Sequence, residues 1–196
     1  GTAFTLGDSG DTFTVPSGGA LTIASGATIT NSGTASGLGG GKVLQVVSTA
    51  KTDTFGSTSP VTPEDVTGMS VTITPSATSS KVLLTVSVAY SGSTSNDTFF
   101  RMVKGSTLIA MGDAGGSRTR CWFELPRSHS TGNVMSGAAS LTFLDSPSTT
   151  SATTYKLQVG GTSDSAQMYV NRGVTDSDSA GNGRGISTIT AMEIGA

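Results

Sequence analysis

The stretch Val82-Leu83-Leu84-Thr85-Val86-Ser87-Val88-Ala89-Tyr90 decides the fold class. Val82, Leu84, Val86, Val88 and Tyr90 fall on one side of an extended chain, and β-branched residues suit a pleated surface. The same alternation recurs outward in both directions. Toward the N-terminus it marks Met69, Val71 and Ile73, and before them Val43-Leu44-Gln45-Val46-Val47. Between these lies a loop that holds Ser59-Pro60 and Thr62-Pro63-Glu64-Asp65. Toward the C-terminus, Phe100 to Lys104 and Leu108 to Met111 are joined by Gly105-Ser106, which reads as a hairpin. Further strands are predicted at Arg120 to Leu125, Ala138 to Leu144, Tyr155 to Val159, Met168 to Val170 and Ile186 to Ile194. No window shows the apolar period of about 3.6 residues that an amphipathic helix needs. About eight to ten strands over roughly 155 residues fit an antiparallel, two-sheet sandwich of jelly-roll type. The last strand is apolar on both faces: Ile186, Met192 and Ile194 on one, Ile189 and Ala191 on the other. Such a strand is either central in a sandwich or laid against another subunit.

Residues 1–41 have a different texture. Phe4-Thr5-Leu6, Phe13-Thr14-Val15, Leu21-Thr22-Ile23 and Ala27-Thr28-Ile29 repeat an apolar–Thr–apolar triplet, each followed by Ser-Gly. The triplets read as short strands, and each Ser-Gly supplies a turn where positive φ costs little. One chain of such triplets has nothing to bury its apolar side chains against, so it needs stacked or wrapped copies. The segment ends in Gly37-Leu38-Gly39-Gly40-Gly41, a hinge composition. The expected organisation is a repetitive β stem over 1–41 and a β-sandwich head over 42–196.

Composition narrows the function. Of 196 residues, 27 are Gly and only 12% are charged, but 35% are hydrophobic and alternate clearly, so the chain reads as folded rather than disordered. Net charge is −2, and no basic cluster exceeds Arg118, Arg120 and Arg127, so neither nucleic acid nor an anionic membrane is an expected partner. No apolar run reaches the roughly 20 residues needed to span a bilayer, and no signal peptide is visible. The triplet pattern is already under way at Gly1, which reads as a fragment of something longer. The single cysteine, Cys121, rules out an intrachain disulfide and a cysteine-rich metal site.

The chemistry-bearing residues offer little for an enzyme. His129, the one histidine, sits in the polar loop Arg127-Ser128-His129-Ser130-Thr131 without a Gly-x-Ser-x-Gly elbow, so it reads as an exposed loop residue. Cys121 alternates with Phe123 and Leu125 and reads as a small core hydrophobe. Asp176-Ser177-Asp178-Ser179-Ala180-Gly181-Asn182-Gly183 resembles a calcium loop but lacks the closing Glu, so it reads as a solvated hairpin tip. Glu64, Glu124, Glu193 and ten Asp offer no selected pair for glycosidic cleavage. No catalytic, cofactor-binding or metal-binding residue is assigned. By the same alternation Arg120, Trp122 and Glu124 face outward, which makes Trp122 the candidate contact to a ligand or a neighbouring subunit. Receptor contact is expected on the polar loops Ser91–Asp97, Asp113–Ser117, Ser146–Thr153 and Asp176–Gly183.

The stem pattern Thr12-Phe13-Thr14-Val15-Pro16-Ser17-Gly18-Gly19-Ala20-Leu21-Thr22-Ile23-Ala24-Ser25-Gly26 resembles the repetitive stems of bacteriophage fibre proteins. The head resembles the C-terminal domains of head- and tail-fibre proteins from phages of aquatic bacteria. Phe100-Arg101-Met102-Val103-Lys104-Gly105-Ser106-Thr107-Leu108-Ile109-Ala110 and Ile186-Ser187-Thr188-Ile189-Thr190-Ala191-Met192-Glu193-Ile194 carry that likeness. The resemblance implies a homotrimeric structural fibre located in the virion. Its partners would be itself, other virion proteins and a host-surface glycan or protein. It marks no binding residue. The alternative is a trimeric β-sandwich lectin or a complement- or tumour-necrosis-factor-like binding module. The thin repetitive stem and the absence of collagen-like triplets favour the fibre.

Overall fold

A computed structural model describes residues 14–20, 22, 24–26, 42–93, 96–125 and 134–195. The chain divides into two compact units, Gly1–Leu38 and Gly39–Ala196. In the first unit, Ser17-Gly18 and Ser25-Gly26 form turns in which Gly18 and Gly26 take φ of 83° and 84°. The Gly19 amide closes the first turn on the Pro16 carbonyl at 2.8 Å. Thr14, Val15 and Thr22 are exposed and carry no strand pairing, and the remaining triplet residues lie outside the described residues.

The second unit is all-β. Its strands are β1 (Val43–Lys51), β2 (Phe55–Ser57), β3 (Glu64–Ile73), β4 (Lys81–Ser93), β5 (Thr98–Lys104), β6 (Thr107–Ile109), β7 (Phe123–Leu125), β8 (Val134–Asp145), β9 (Thr153–Gly161), β10 (Met168–Val170) and β11 (Ser187–Ile194). All pairings are antiparallel. One sheet runs β1-β11-β4-β10-β2 with β8 on the far side of β4, and the other runs β3-β9-β5-β6 with β7 also on β5. The strand β4 carries β11 along its first half and β10 along its last residues, so β10 and β11 lie end to end between β4 and the β1–β2 segment. No described residue is helical, and no helix long and apolar enough to cross a membrane occurs among the described residues.

The alternation in β4 has its expected consequence: Val82, Leu84, Val86 and Val88 are each at most 1% exposed. They meet Met69, Val71 and Ile73 of β3, Phe100 and Met102 of β5, Tyr155, Leu157 and Val159 of β9, and Ile189 and Ala191 of β11 in one core between the sheets. Burying each such side chain is worth about 1.5–3 kcal/mol, which makes this layer the main support of the fold. Two polar devices brace the core: one joins the two sheets, and the other holds β11 and β1 to the loop after β3. Tyr155 donates to Asp145 Oδ2 at 2.7 Å while Lys104 Nζ donates to the same carboxylate at 3.0 and 3.1 Å. Glu193, 1% exposed, accepts from Gln45 Nε2 at 2.7 Å and from the backbone and hydroxyl of Ser76 at 2.7 and 2.6 Å.

Several boundaries differ from the sequence expectation. Glu64 and Asp65 belong to β3, not to the preceding loop; a register shift between Asp65 and Ser70, with Gly68 at φ 82°, breaks the alternation that would have revealed them. The expected strand from Arg120 shrinks to Phe123–Leu125. The Gly105-Ser106 hairpin is as read, with Gly105 at φ 59°, the sign a two-residue hairpin turn requires.

Candidate functional site

The strongest feature of the second unit is a surface with almost no charge. On the outward face of the first sheet, Leu144 of β8 lies opposite Leu83 of β4, Leu83 opposite Met192 of β11, and Met192 opposite Val46 of β1. At strand spacings of about 4.8 Å this apolar row crosses four strands. Val46 and Leu144 at its ends are 56% and 54% exposed, and Val43 and Leu44 beside Val46 are 55% and 50% exposed. Further along the same face the outward positions are Thr142, Thr85, Thr190 and Ser48, then Ser140, Ser87, Thr188 and Ala50. Ser48 and Thr190 satisfy each other's hydroxyls at 2.8 Å. Lys81 is the one ionisable side chain among the described outward positions of these four strands, and it is turned toward Ser146 Oγ at 2.8 Å. The C-terminal strand is thus central in its sheet, with Ile189 and Ala191 at 0% exposure inside and Met192 and Ile194 partly exposed outside.

Trp122 does not face solvent as alternation predicts. It precedes β7, so the period of two never reaches it. Its ring stacks on Phe100 with centroids 5.9 Å apart at 19° and tilts against Phe123 at 5.8 Å, while its amide bonds the Phe100 carbonyl at 3.2 Å. The indole Nε1 is out of water with no hydrogen-bond partner. Arg120 and Glu124 are exposed, as expected. Cys121 is partly exposed and absent from the core, because it too lies outside the strand. Burial, then the nearby Glu124, push its thiol pKa up, away from reactivity.

The loop between β10 and β11 is built on Asn171, buried at 1% exposure with φ 62°, a conformation Asn tolerates better than most residues. Its Nδ2 donates to the carbonyls of Lys51 and Asp53 at 2.8 and 2.9 Å, and its Oδ1 accepts from Ser187 Oγ at 2.6 Å. Sequence reading missed this residue; an Asn directly after an apolar strand was the available signal. Beyond it, Asp176 pairs with Arg184 at 2.9 Å and Arg172 at 3.5 Å, and Asn182 Nδ2 donates to Ser177 Oγ at 2.7 Å. The calcium-like stretch thus spends its first carboxylate on arginines. A cavity of about 320 Å³ opens between this loop, at Asn171–Gly173 and Gly181–Gly185, and Ala89, Tyr90 and Gly137. The described donors of Arg172 and Asn182 at its wall are already bonded within the loop.

Among the described residues, no three His, Cys, Asp or Glu side chains gather where a metal ion would sit. Glu193 is locked in its polar clamp, Glu64 accepts from Ser57 Oγ, and Glu124 is exposed on the other sheet. His129 and Arg127 lie outside the described residues. Arg118 and Arg120 each bond a loop carbonyl, of Gly115 at 3.1 Å and of Gly112 at 2.8 Å. No protein-family model and no curated protein sequence matches the chain.

Proposed function

We propose that the chain is a structural protein of a bacteriophage virion fibre, head or tail, that assembles as a homotrimer and presents residues 42–196 as an attachment head. The observation that carries this reading is the outward face of the β1-β11-β4-β8 sheet. An exposed apolar row flanked by hydroxyl and alanine side chains, with Lys81 the one ionisable side chain among the described outward positions and turned toward Ser146, has little charge to repel a copy of itself. Such a face, about four strands wide and eight residues long, covers on the order of 500 Å², so a contact between two subunits buries roughly 1,000 Å², the lower bound of a specific interface. The stem supports the same reading, since its apolar triplets need partner chains. The role is assembly and adhesion rather than catalysis, with the head loops as receptor contacts and Trp122 as packing against Phe100 and Phe123.

Light scattering on the full chain tests it. The expected mass is about three times the 19.5 kDa of one chain, with an elongated particle in negative stain. A monomer at micromolar concentration refutes the assembly and with it the fibre.

A further inference from the structure

On the outward face of the second sheet, Arg101 of β5 stands directly opposite Gln158 of β9, while Val103 is flanked by Lys156 on one side and Leu108 of β6 on the other. With Gly105 and Ser106 of the hairpin these side chains line an open cavity of about 390 Å³. Its charges are unevenly matched. Lys156 Nζ donates to Asp65 Oδ2 at 2.6 Å and Gln158 Nε2 donates to Oδ1 at 2.8 Å, so both carboxylate oxygens of Asp65 are engaged. Arg101 donates to neither of them. Its guanidinium lies 5.3 Å over the ring of Phe99, which is itself only 5% exposed, and its Nε is out of water without an acceptor. Every other buried or partly buried cation among the described residues has a carboxylate: Lys51 has Asp53, Lys104 has Asp145, Lys156 has Asp65 and Arg172 has Asp176.

The Nε of this half-buried guanidinium, out of water beside an aromatic ring, lacks an acceptor and is disfavoured, while the terminal nitrogens, which are not among the buried unpartnered atoms, are the donors that a ligand in the basin can meet. Its planar fork matches a carboxylate or a phosphate through two parallel bonds. Gln158 has its amide nitrogen committed to Asp65, which leaves its carbonyl oxygen, with Ser106 Oγ, to meet hydroxyl groups. Arg101 and Lys156 against Asp65 leave the basin one positive charge on a chain whose net charge is −2. The volume suits a single sugar ring.

We propose that this basin binds a small oxyanion-bearing saccharide, with Arg101 holding the carboxylate or phosphate and Gln158 and Ser106 holding hydroxyls. The basin lies on the sheet opposite the uncharged face, so self-association through that face leaves it open. That its natural source is an acidic glycan on a host surface rests on the fibre reading; the site itself does not.

Saturation-transfer NMR on the full chain, titrated with glucuronate, glucose 6-phosphate and glucose, tests the site. The expected result is saturable binding of glucuronate, glucose 6-phosphate or both, at least tenfold tighter than glucose. The preferred ligand tells a carboxylate source from a phosphate ester. Arg101→Gln should weaken that binding at least tenfold, with Arg101→Lys intermediate. Inorganic sulfate should displace the acid from the unmodified protein, a readout that needs no variant. Acids binding no tighter than glucose, binding unmoved by sulfate, or a folded Arg101→Gln that binds as the parent does would each overturn the proposal. Light scattering on the same samples separates the two ideas: a monomer that binds the acid keeps the site and removes the fibre.

Discussion

Placing a carboxylate in the apolar row should dissociate the assembly without unfolding the subunit. Val46 and Leu144 are 56% and 54% exposed, so an isolated subunit already keeps more than half of each in water. Val46→Asp and Leu144→Glu should therefore shift subunit stability by only about 0.5 kcal/mol. In the proposed trimer the same positions would be covered. Each substitution forfeits about 1 kcal/mol, the burial of the remaining half of an aliphatic side chain. It also strips water from a new carboxylate whose one opposite charge among the described outward positions, Lys81, is turned toward Ser146, a penalty of several kcal/mol. A sum near 4 kcal/mol per contact weakens association about a thousandfold. Sedimentation velocity at micromolar concentration should move from the trimer to the 19.5 kDa species, with the thermal unfolding of the subunit retained. Thr72→Asp, on the outward face of the other sheet, is the control and should leave the mass alone. If Val46→Asp and Leu144→Glu both remain trimeric, the uncharged face is not the contact.

Asn171→Ala should destabilise the head by about 3 kcal/mol in urea unfolding, since it orphans the carbonyls of Lys51 and Asp53 and the hydroxyl of Ser187. Asn171→Gly keeps the positive φ but loses the same bonds, so equal losses in both variants assign the effect to hydrogen bonding and a smaller loss in Gly to the backbone. Burial alone would raise the pKa of Glu193, but the bonds from Gln45 and Ser76 overcome it and hold the group at about 2, against 4.5 for a free carboxyl. The folded state therefore gains stability from Glu193 at pH above 4.5 and loses it as pH falls toward 2, and Glu193→Gln should flatten the urea midpoint across that window. Trp122→Ala should lower head stability by about 3 kcal/mol through loss of its packing on Phe100 and Phe123. Trp122→Phe should be nearly neutral, because it also removes an indole N–H that has no partner. Unchanged stability in Trp122→Ala would show that the ring supports nothing and return it to the role of a surface contact.

The fold class was legible because alternation survives wherever a strand is long and regular. The shared apolar face of β4 and the Gly105 turn could be read directly, whereas β11, apolar on both sides, did not reveal which face is inward. It failed where a strand is short or bulged. The strands β2 and β7 have three residues each, too few to show a period, and the shift between Asp65 and Ser70 hides the start of β3. Trp122 reads as outward only when the period is carried one residue beyond the start of β7. The candidate surfaces were the least legible part. Met192 and Ile194 announced an apolar outer face, but Leu83, Leu144 and Val46 join it only through register, which no single strand encodes. Arg101 gave no signal at all, because its distinction is the acceptor it lacks.

The sheet edges bear on the assembly as much as the faces do. An unprotected edge is a template for another chain, and most edges here are blunted. The strands β2, β6 and β7 are three residues long, and both β1 and β3 carry a register irregularity. The strand β8 is the exception. It pairs with β4 through twelve residues without a shift, from Ser93–Val134 to Val82–Asp145, and it has no charge or proline before Asp145. No described strand pairs with its other side. Leu144, at one end of the apolar row, is also on β8. The unguarded edge and the uncharged face therefore share one strand, and a neighbouring subunit that covers Leu144 comes up against that edge as well. In the proposed trimer each subunit would lay this corner against the next, which shields the edge and the apolar row together. The opposite sheet, with its Asp65–Lys156 pair and the open Arg101 basin, would then face the solvent and the host.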